Sequence, residues 1–227
     1  MRICTKRKTQ DARQKGTFLV SCSGCLVEQT TKCYSFNMID YLSLFAFILL
    51  AALAAGRGLM LRRRGKNPFV FGRTHKSDFL LVPAVAFFFY AILASVFLLP
   101  FPEFLLFSLF SNQILSWIGI IICYASLVWF ALTLKTFGES FRIGIDEDTK
   151  DKLVTTGTFS LSRNPLYLAM LAFVTGMILI HSNLVACIAM VFFAIMINRQ
   201  ISREEAFLKI HYGSEYEEYC QKVRRFL

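Results

Sequence analysis

Long uncharged runs set the first limit on what this 227-residue chain can fold into. Residues 79–101, 104–134 and 164–198 contain no Asp, Glu, Lys or Arg. A fourth run, Tyr41–Gly56, continues beyond Arg57 as Gly58-Leu59-Met60-Leu61. A helix needs about 20 apolar residues to cross a hydrocarbon core of roughly 30 Å, and its backbone groups must be satisfied internally there. The runs predict membrane helices, and composition agrees. The chain is 56% hydrophobic and 18% charged, against about 45–50% and about 25% in ordinary soluble domains. Disordered chains are poor in apolar residues, so the same composition excludes that class.

Residues 164–198 are too many for one crossing. Gly176 supplies a break and His181-Ser182-Asn183 a turn, which divides the run into two arms. Each arm would hold about 15–16 residues and reach about 24 Å, less than the core thickness. The expected fold is an all-α integral membrane protein of about five transmembrane helices. The last two form a short hairpin, and a cytoplasmic C-terminal helix follows.

The formal charge of +10 is mostly a matter of topology. Residues 62–78 carry six Lys or Arg, residues 135–163 five and residues 199–227 six. Residues 102–113 and 181–183 carry none. Basic loops favour the cytoplasmic side, which predicts a multi-pass protein with a cytoplasmic C-terminus and the N-terminus opposite. No basic-aromatic surface is left over for nucleic acid. The tail 1–37 conflicts with this orientation, because it holds seven basic and two acidic residues. One reading makes Met38 the native start; the other keeps a basic extension and lets the later loops set the topology. Residues 38–227 then form one membrane domain, with the cofactor-binding and catalytic region at 135–227.

The tail also carries four of the seven Cys, among them Cys22-Ser23-Gly24-Cys25. One such pair is half a zinc site, and no second pair at ligand spacing accompanies it. His75 and His181 likewise have no partner at ligand spacing, so no metal is expected.

Chemistry concentrates in the last 90 residues. Pro165 suits the first turn of a helix, with Asn164 as candidate N-cap. Such a start presents backbone N–H groups and partial positive charge to a carboxylate, and Arg163 lies beside it. A hairpin returns its ends together. Arg163-Asn164-Pro165-Leu166-Tyr167 and Glu204-Glu205, read as beginning the helix after the hairpin, should therefore be neighbours in a mixed-charge pocket. Such a pocket suits a small zwitterionic or cationic molecule. The bland readings are a plain helix start, a solvated charged face, and packing roles for Tyr216 and Tyr219.

Four ordered motifs carry a resemblance: Leu153-Val154-Thr155-Thr156-Gly157-Thr158-Phe159, Arg163-Asn164-Pro165-Leu166-Tyr167, Glu204-Glu205, and Gly213-x-x-Tyr216-x-x-Tyr219. With these spacings, residues 135–227 resemble the isoprenylcysteine carboxyl methyltransferase and phospholipid methyltransferase family of integral membrane enzymes. The resemblance implies S-adenosylmethionine as cofactor and methyl transfer to a lipid-like or prenylated substrate drawn from the bilayer. It assigns cofactor contacts to Asp151, Lys152, Leu153, Val154, Phe159, Asn164, Pro165, Leu166, Tyr167 and Glu204. Glu204 would face the cofactor's cationic groups, and Arg163 its carboxylate. Phe159 stands where the family has Tyr, and Asn164 where the prenylcysteine enzymes have His. Gln200 stands where those enzymes place an Arg toward the substrate, with Arg199 as a neighbouring substitute. These departures leave an amine acceptor open, with Glu205 as candidate base. The rival readings are a membrane reductase using a nicotinamide cofactor and a small non-enzymatic scaffold or transporter.

Overall fold

The structure, a computed structural model, describes residues 21–22, 25–26, 37–63, 86–87, 90, 93–94, 108–137 and 153–227. The chain divides into two compact units, Met1–Asn37 and Met38–Leu227. In the first, strands β1 (Ser21–Cys22) and β2 (Cys25–Leu26) pair antiparallel, with Ser21 opposite Leu26 and Cys22 opposite Cys25.

The described helices of the second unit are α1 (Met38–Arg63), α2 (Gln113–Phe137), a 3-10 turn at Gly157–Ser160, α3 (Pro165–Ile180), α4 (Leu184–Tyr212) and α5 (Ser214–Lys222), and Ser108 pairs with Asn183 in an isolated antiparallel bridge. By length and composition α1, α2 and α4 can each cross a membrane. Asp40 lies in the first turn of α1 and Arg62 and Arg63 in its last, the arrangement the helix dipole favours. Large apolar side chains point outward along these helices, including Ile48, Ile121, Val128, Ile188 and Val191. Such contiguous apolar faces would associate in water and are at home against hydrocarbon. The expected crossing over 79–101 lies largely outside the described residues; Ala86, Phe87, Tyr90, Leu93 and Ala94 within it are helical.

The hairpin is real, but its arms are unequal. Helix α3 has 16 residues, as the sequence suggests. The second arm does not stop short: α4 runs 29 residues without interruption, and Glu204 and Glu205 lie inside it rather than beginning a new helix. The reason is local. Residues 184–212 contain neither Gly nor Pro, so nothing breaks the hydrogen-bond ladder where the sequence turns polar near Asn198. The helix ends only at Gly213, whose φ of 53° is one that glycine tolerates.

The turn joining the arms is pinned. Asn183 caps α4 by accepting from the Ala186 N–H at 2.7 Å. The Leu109 N–H donates to the Ser182 carbonyl at 2.7 Å, and the Ser182 hydroxyl donates to the Phe110 carbonyl. His181 Nε2 meets Ser43 Oγ at 3.0 Å, tying the turn to the start of α1. The Ser43 hydroxyl donates to the Asp40 carbonyl, so it accepts from His181 Nε2–H.

Helices α2 and α3 approach backbone to backbone. A Cβ built on Gly119 would lie 2.6 Å from the Gly176 carbonyl oxygen, and one on Gly176 would lie 2.7 Å from Cys123 Sγ and 2.8 Å from the Gly119 oxygen. Small residues permit this contact between apolar helices, where packing replaces the hydrophobic effect as the adhesive. Around the crossing, Cys123 and Leu127 of α2, Phe173 and Met177 of α3, and Phe193 and Ile197 of α4 form the buried core. A second cluster joins Leu61 of α1 to Phe130, Leu134 and Ala169.

Replacing either crossing glycine by Ala is therefore expected to destabilise the fold by about 1–3 kcal/mol, the usual range for overpacking. Thermal unfolding in detergent checks this, with Gly56→Ala as control, because nothing lies within 4 Å of a Cβ at that position. Equal midpoints for Gly119→Ala, Gly176→Ala and the control would contradict the close crossing.

Candidate functional site

The polar half of α4 runs past the first turn of α3, and the charged residues of the last segment gather there. The approach to that turn is fixed by Gly157. Its φ is 62°, and a Cβ there would lie 2.6 Å from Thr136 Oγ1 at the end of α2. The 3-10 turn can therefore seat directly on α2. Phe159, in this turn, is buried and packs edge-on against Phe137, with centroids 4.6 Å apart. Its carbonyl accepts from the Tyr219 hydroxyl at 2.6 Å, which anchors α5 over the turn.

Helix α3 starts at the buried Pro165, whose carbonyl accepts from Trp129 Nε1 of α2 at 3.1 Å. Asn164 occupies the N-cap position but does not cap with its side chain, contrary to the sequence expectation. The physical reason is the orientation of the amide: its Nδ2 donates to Glu205 Oε1 at 3.1 Å and to the Arg225 carbonyl at 3.2 Å, and these bonds, one of them to a carboxylate, set where the oxygen that a cap would use can point.

Glu204 and Glu205, one residue apart on α4, point about 100° from each other and serve different partners. Glu204 Oε1 accepts from the Tyr167 hydroxyl at 2.6 Å and from Gln200 Nε2 at 2.9 Å. Glu205 is the hub of an ion network. Its Oε2 accepts from Arg225 Nη2 at 2.7 Å and Nε at 3.0 Å, and its Oε1 lies 3.6 Å from Arg163 Nη2. The Arg163 guanidinium also donates to Cys220 Sγ. Burial alone would lower the Arg163 pKa, but Glu205 and Cys220 outweigh it and hold the guanidinium above its ordinary value. Burial and the nearby Glu205 push the Tyr216 hydroxyl well up, and burial takes Tyr219 to about 12 against the opposing influence of Arg163. Both phenols stay protonated at neutral pH.

The structure thus brings together Arg163, Asn164, Pro165, Tyr167, Glu204 and Glu205. Leu166 packs nearby against the second cluster, and Leu153 and Val154 are half-buried in the strand of chain leading to the 3-10 turn. Asp151 and Lys152 lie outside the described residues. Arg199 is exposed on α4, and the buried residue beside Glu204 is Gln200. Sequence reasoning missed Gln200 as a partner, although its i,i+4 spacing to Glu204 is a usable signal. It also missed Ser162, Cys220 and Arg225. Only the folding of residues 220–226 back onto residues 162–164 discloses these. Among the described residues, no group of three or more His, Cys, Asp and Glu could hold a metal ion.

A sequence profile of phospholipid methyltransferases matches residues 111–215, the span from the start of α2 to the start of α5. A protein of Oryza sativa subsp. indica named "Probable protein-S-isoprenylcysteine O-methyltransferase" is 33% identical over 114 residues, 48% of this chain and 58% of that one. "Protein-S-isoprenylcysteine O-methyltransferase B" of Arabidopsis thaliana is 35% identical over 94 residues, 39% of this chain and 46% of that one. An "Uncharacterized protein" of Haemophilus influenzae is 40% identical over 63 residues, 27% of this chain and the whole of that one. The chain spans about half the length of the plant relatives it matches. Matched region and motifs coincide with the helices that build the charged cluster, and over residues 111–215 the chain is similar to phospholipid methyltransferases.

Proposed function

We propose that this chain is a membrane-embedded, S-adenosylmethionine-dependent methyltransferase acting on a lipid-like or prenylated amphipathic substrate. The observation that carries the reading is the juxtaposition of Arg163–Tyr167 with Glu204 and Glu205, within the region that matches the family. The donor set suits a zwitterionic cofactor with an additional sulfonium. Glu204, oriented by Tyr167 and Gln200, offers a carboxylate to a cation. Arg163 and the N–H groups at the start of α3 offer donors to a carboxylate. Leu153, Val154, Phe159 and Leu166 would supply apolar walls, with Asp151 and Lys152 extending the same segment.

When bound, the cofactor supplies an electrophilic methyl group. The protein's task is then to align donor and acceptor and to exclude water, because in-line displacement gains most from positioning. Glu205 suits holding better than proton removal, since donors from Asn164, Arg163 and Arg225 already occupy its oxygens. Arg199, exposed and turned away from Gln200, is a cation available to a headgroup and takes no part in the cluster.

The proposed topology has five crossings, with α3 as the short one, the site at the cytoplasmic face and the acceptor entering sideways between helices. The family's match ends near residue 215, and the bonds of Tyr219 and Arg225 to the segment before α3, with the single compact unit Met38–Leu227, support one membrane domain from Met38 onward.

Calorimetry on detergent-purified protein is expected to show S-adenosylmethionine binding, and Glu204→Ala and Asn164→Ala are each expected to weaken it by about tenfold or more, as loss of a charge-assisted contact does. Absence of binding by intact protein, or binding of a nicotinamide cofactor instead, would refute the methyltransferase reading. For the acceptor, membranes containing the protein and methyl-labelled cofactor should place label in the lipid-extractable fraction. Label confined to water-soluble protein would contradict lateral entry.

A further inference from the structure

We infer that Arg225 is a positioning residue for methyl-donor binding, acting through Asn164; this rests on the methyltransferase reading above. Asn164 is buried, and its planar amide can face the site in two ways, nitrogen or oxygen first. Which way it faces is settled by what accepts its two N–H bonds. One goes to Glu205 Oε1 and the other to the carbonyl of Arg225. The amide oxygen is thereby turned away from Glu205, and it is not spent as a helix cap.

Arg225 controls both acceptors. Its carbonyl is one of them. Its guanidinium fixes the other, because Nε and Nη2 both donate to Glu205 Oε2, at 3.0 and 2.7 Å, and Nη2 also donates to Ser202 at 3.1 Å. A planar fork of donors holds a carboxylate at a set angle, as a point-charge ammonium cannot. The segment carrying Arg225 is fastened at each neighbouring residue. The Arg163 N–H donates to the Arg224 carbonyl at 3.0 Å, the Ser162 hydroxyl donates to the Arg225 carbonyl at 3.4 Å, and Phe226 packs against the main core. Residues 224–226 therefore belong to the wall of the site and do not form a trailing end. Arg225 itself, its side chain about one-third exposed, reaches the cluster from the solvent side.

The experiment compares Arg225→Ala, Arg225→Lys, Asn164→Ala and the Arg225→Ala/Asn164→Ala pair in the full-length chain, using calorimetry with S-adenosylmethionine and steady-state kinetics. Arg225→Ala is expected to weaken donor binding and raise the donor KM by about tenfold, within the range of coupled neighbours, with kcat and the acceptor KM changed by less than about twofold. Arg225→Lys should fall between. In the Asn164→Ala background, Arg225→Ala should add less than about a further twofold, because the group it orients is gone. The inference is overturned if Arg225→Ala binds donor as tightly as the unaltered chain, if the two losses multiply, or if donor and acceptor KM rise together. If Arg225→Ala does not fold, the Arg225→Lys single and double variants carry the same comparison, with equal donor affinity or multiplying losses as the overturning result. Failure of the unaltered chain to bind S-adenosylmethionine overturns the parent reading, and this inference with it. Binding that is indifferent to Arg225 overturns only this inference.

Discussion

The close crossing of α2 and α3 at Gly119 and Gly176 governs where everything else can be. With two backbones in contact, α3 cannot slide or rotate without forcing a carbonyl into a helix, so its first turn is delivered to a fixed place beside the end of α2. Trp129 reads that placement through the Pro165 carbonyl, and Gly157 lets the preceding turn seat on Thr136. Helix α4 then follows from the three-residue turn, itself pinned by Ser182 and His181. The charged cluster thus inherits its geometry from apolar packing. That is how a membrane protein can hold half-buried carboxylates and guanidiniums at a few set distances, although each would be costly to bury unpaired.

The two glutamates show how adjacency in sequence becomes division of labour. One helical step separates their directions. Glu204 faces neutral donors of α3 and of its own helix, Tyr167 and Gln200. Glu205 faces two guanidiniums and an amide. The first keeps a carboxylate oriented for a cation in the proposed function, and the second knits α3, α4 and the last residues into one wall. A sequence that reads Glu-Glu conceals this difference, because direction comes from the helix.

Much of the architecture is legible in the chain because its signals are local. Uncharged length announces α1 and α2, and Pro165 and His181–Asn183 bound α3. The full run of α4 is misjudged, since a change from apolar to polar residues looks like a boundary when no breaker marks one. For the site, motif spacing and the hairpin argument bring Arg163–Tyr167 and the glutamates together. The part of Arg225 and the use of the Asn164 side chain are invisible, because both depend on where a segment 61 residues downstream folds back. A capping residue is recognised by its position, but the partners of the Asn164 amide nitrogen decide where its oxygen points.

The unequal arms of the hairpin act as a depth gauge. From Leu184 to Glu204 an unbroken helix rises about 30 Å, one hydrocarbon thickness, whereas the 16 residues of α3 rise only about 24 Å. With both arms starting from one pinned turn, α3 is roughly one helical turn shorter along its axis than α4 up to Glu204. Arg163 and Asn164 make up the difference at the end of the short arm, where their side chains reach Glu205 of α4. In the proposed membrane setting, a bilayer matched to α4 is thicker than α3 alone can span, so lipid thickness bears on how the short arm and its polar end are accommodated.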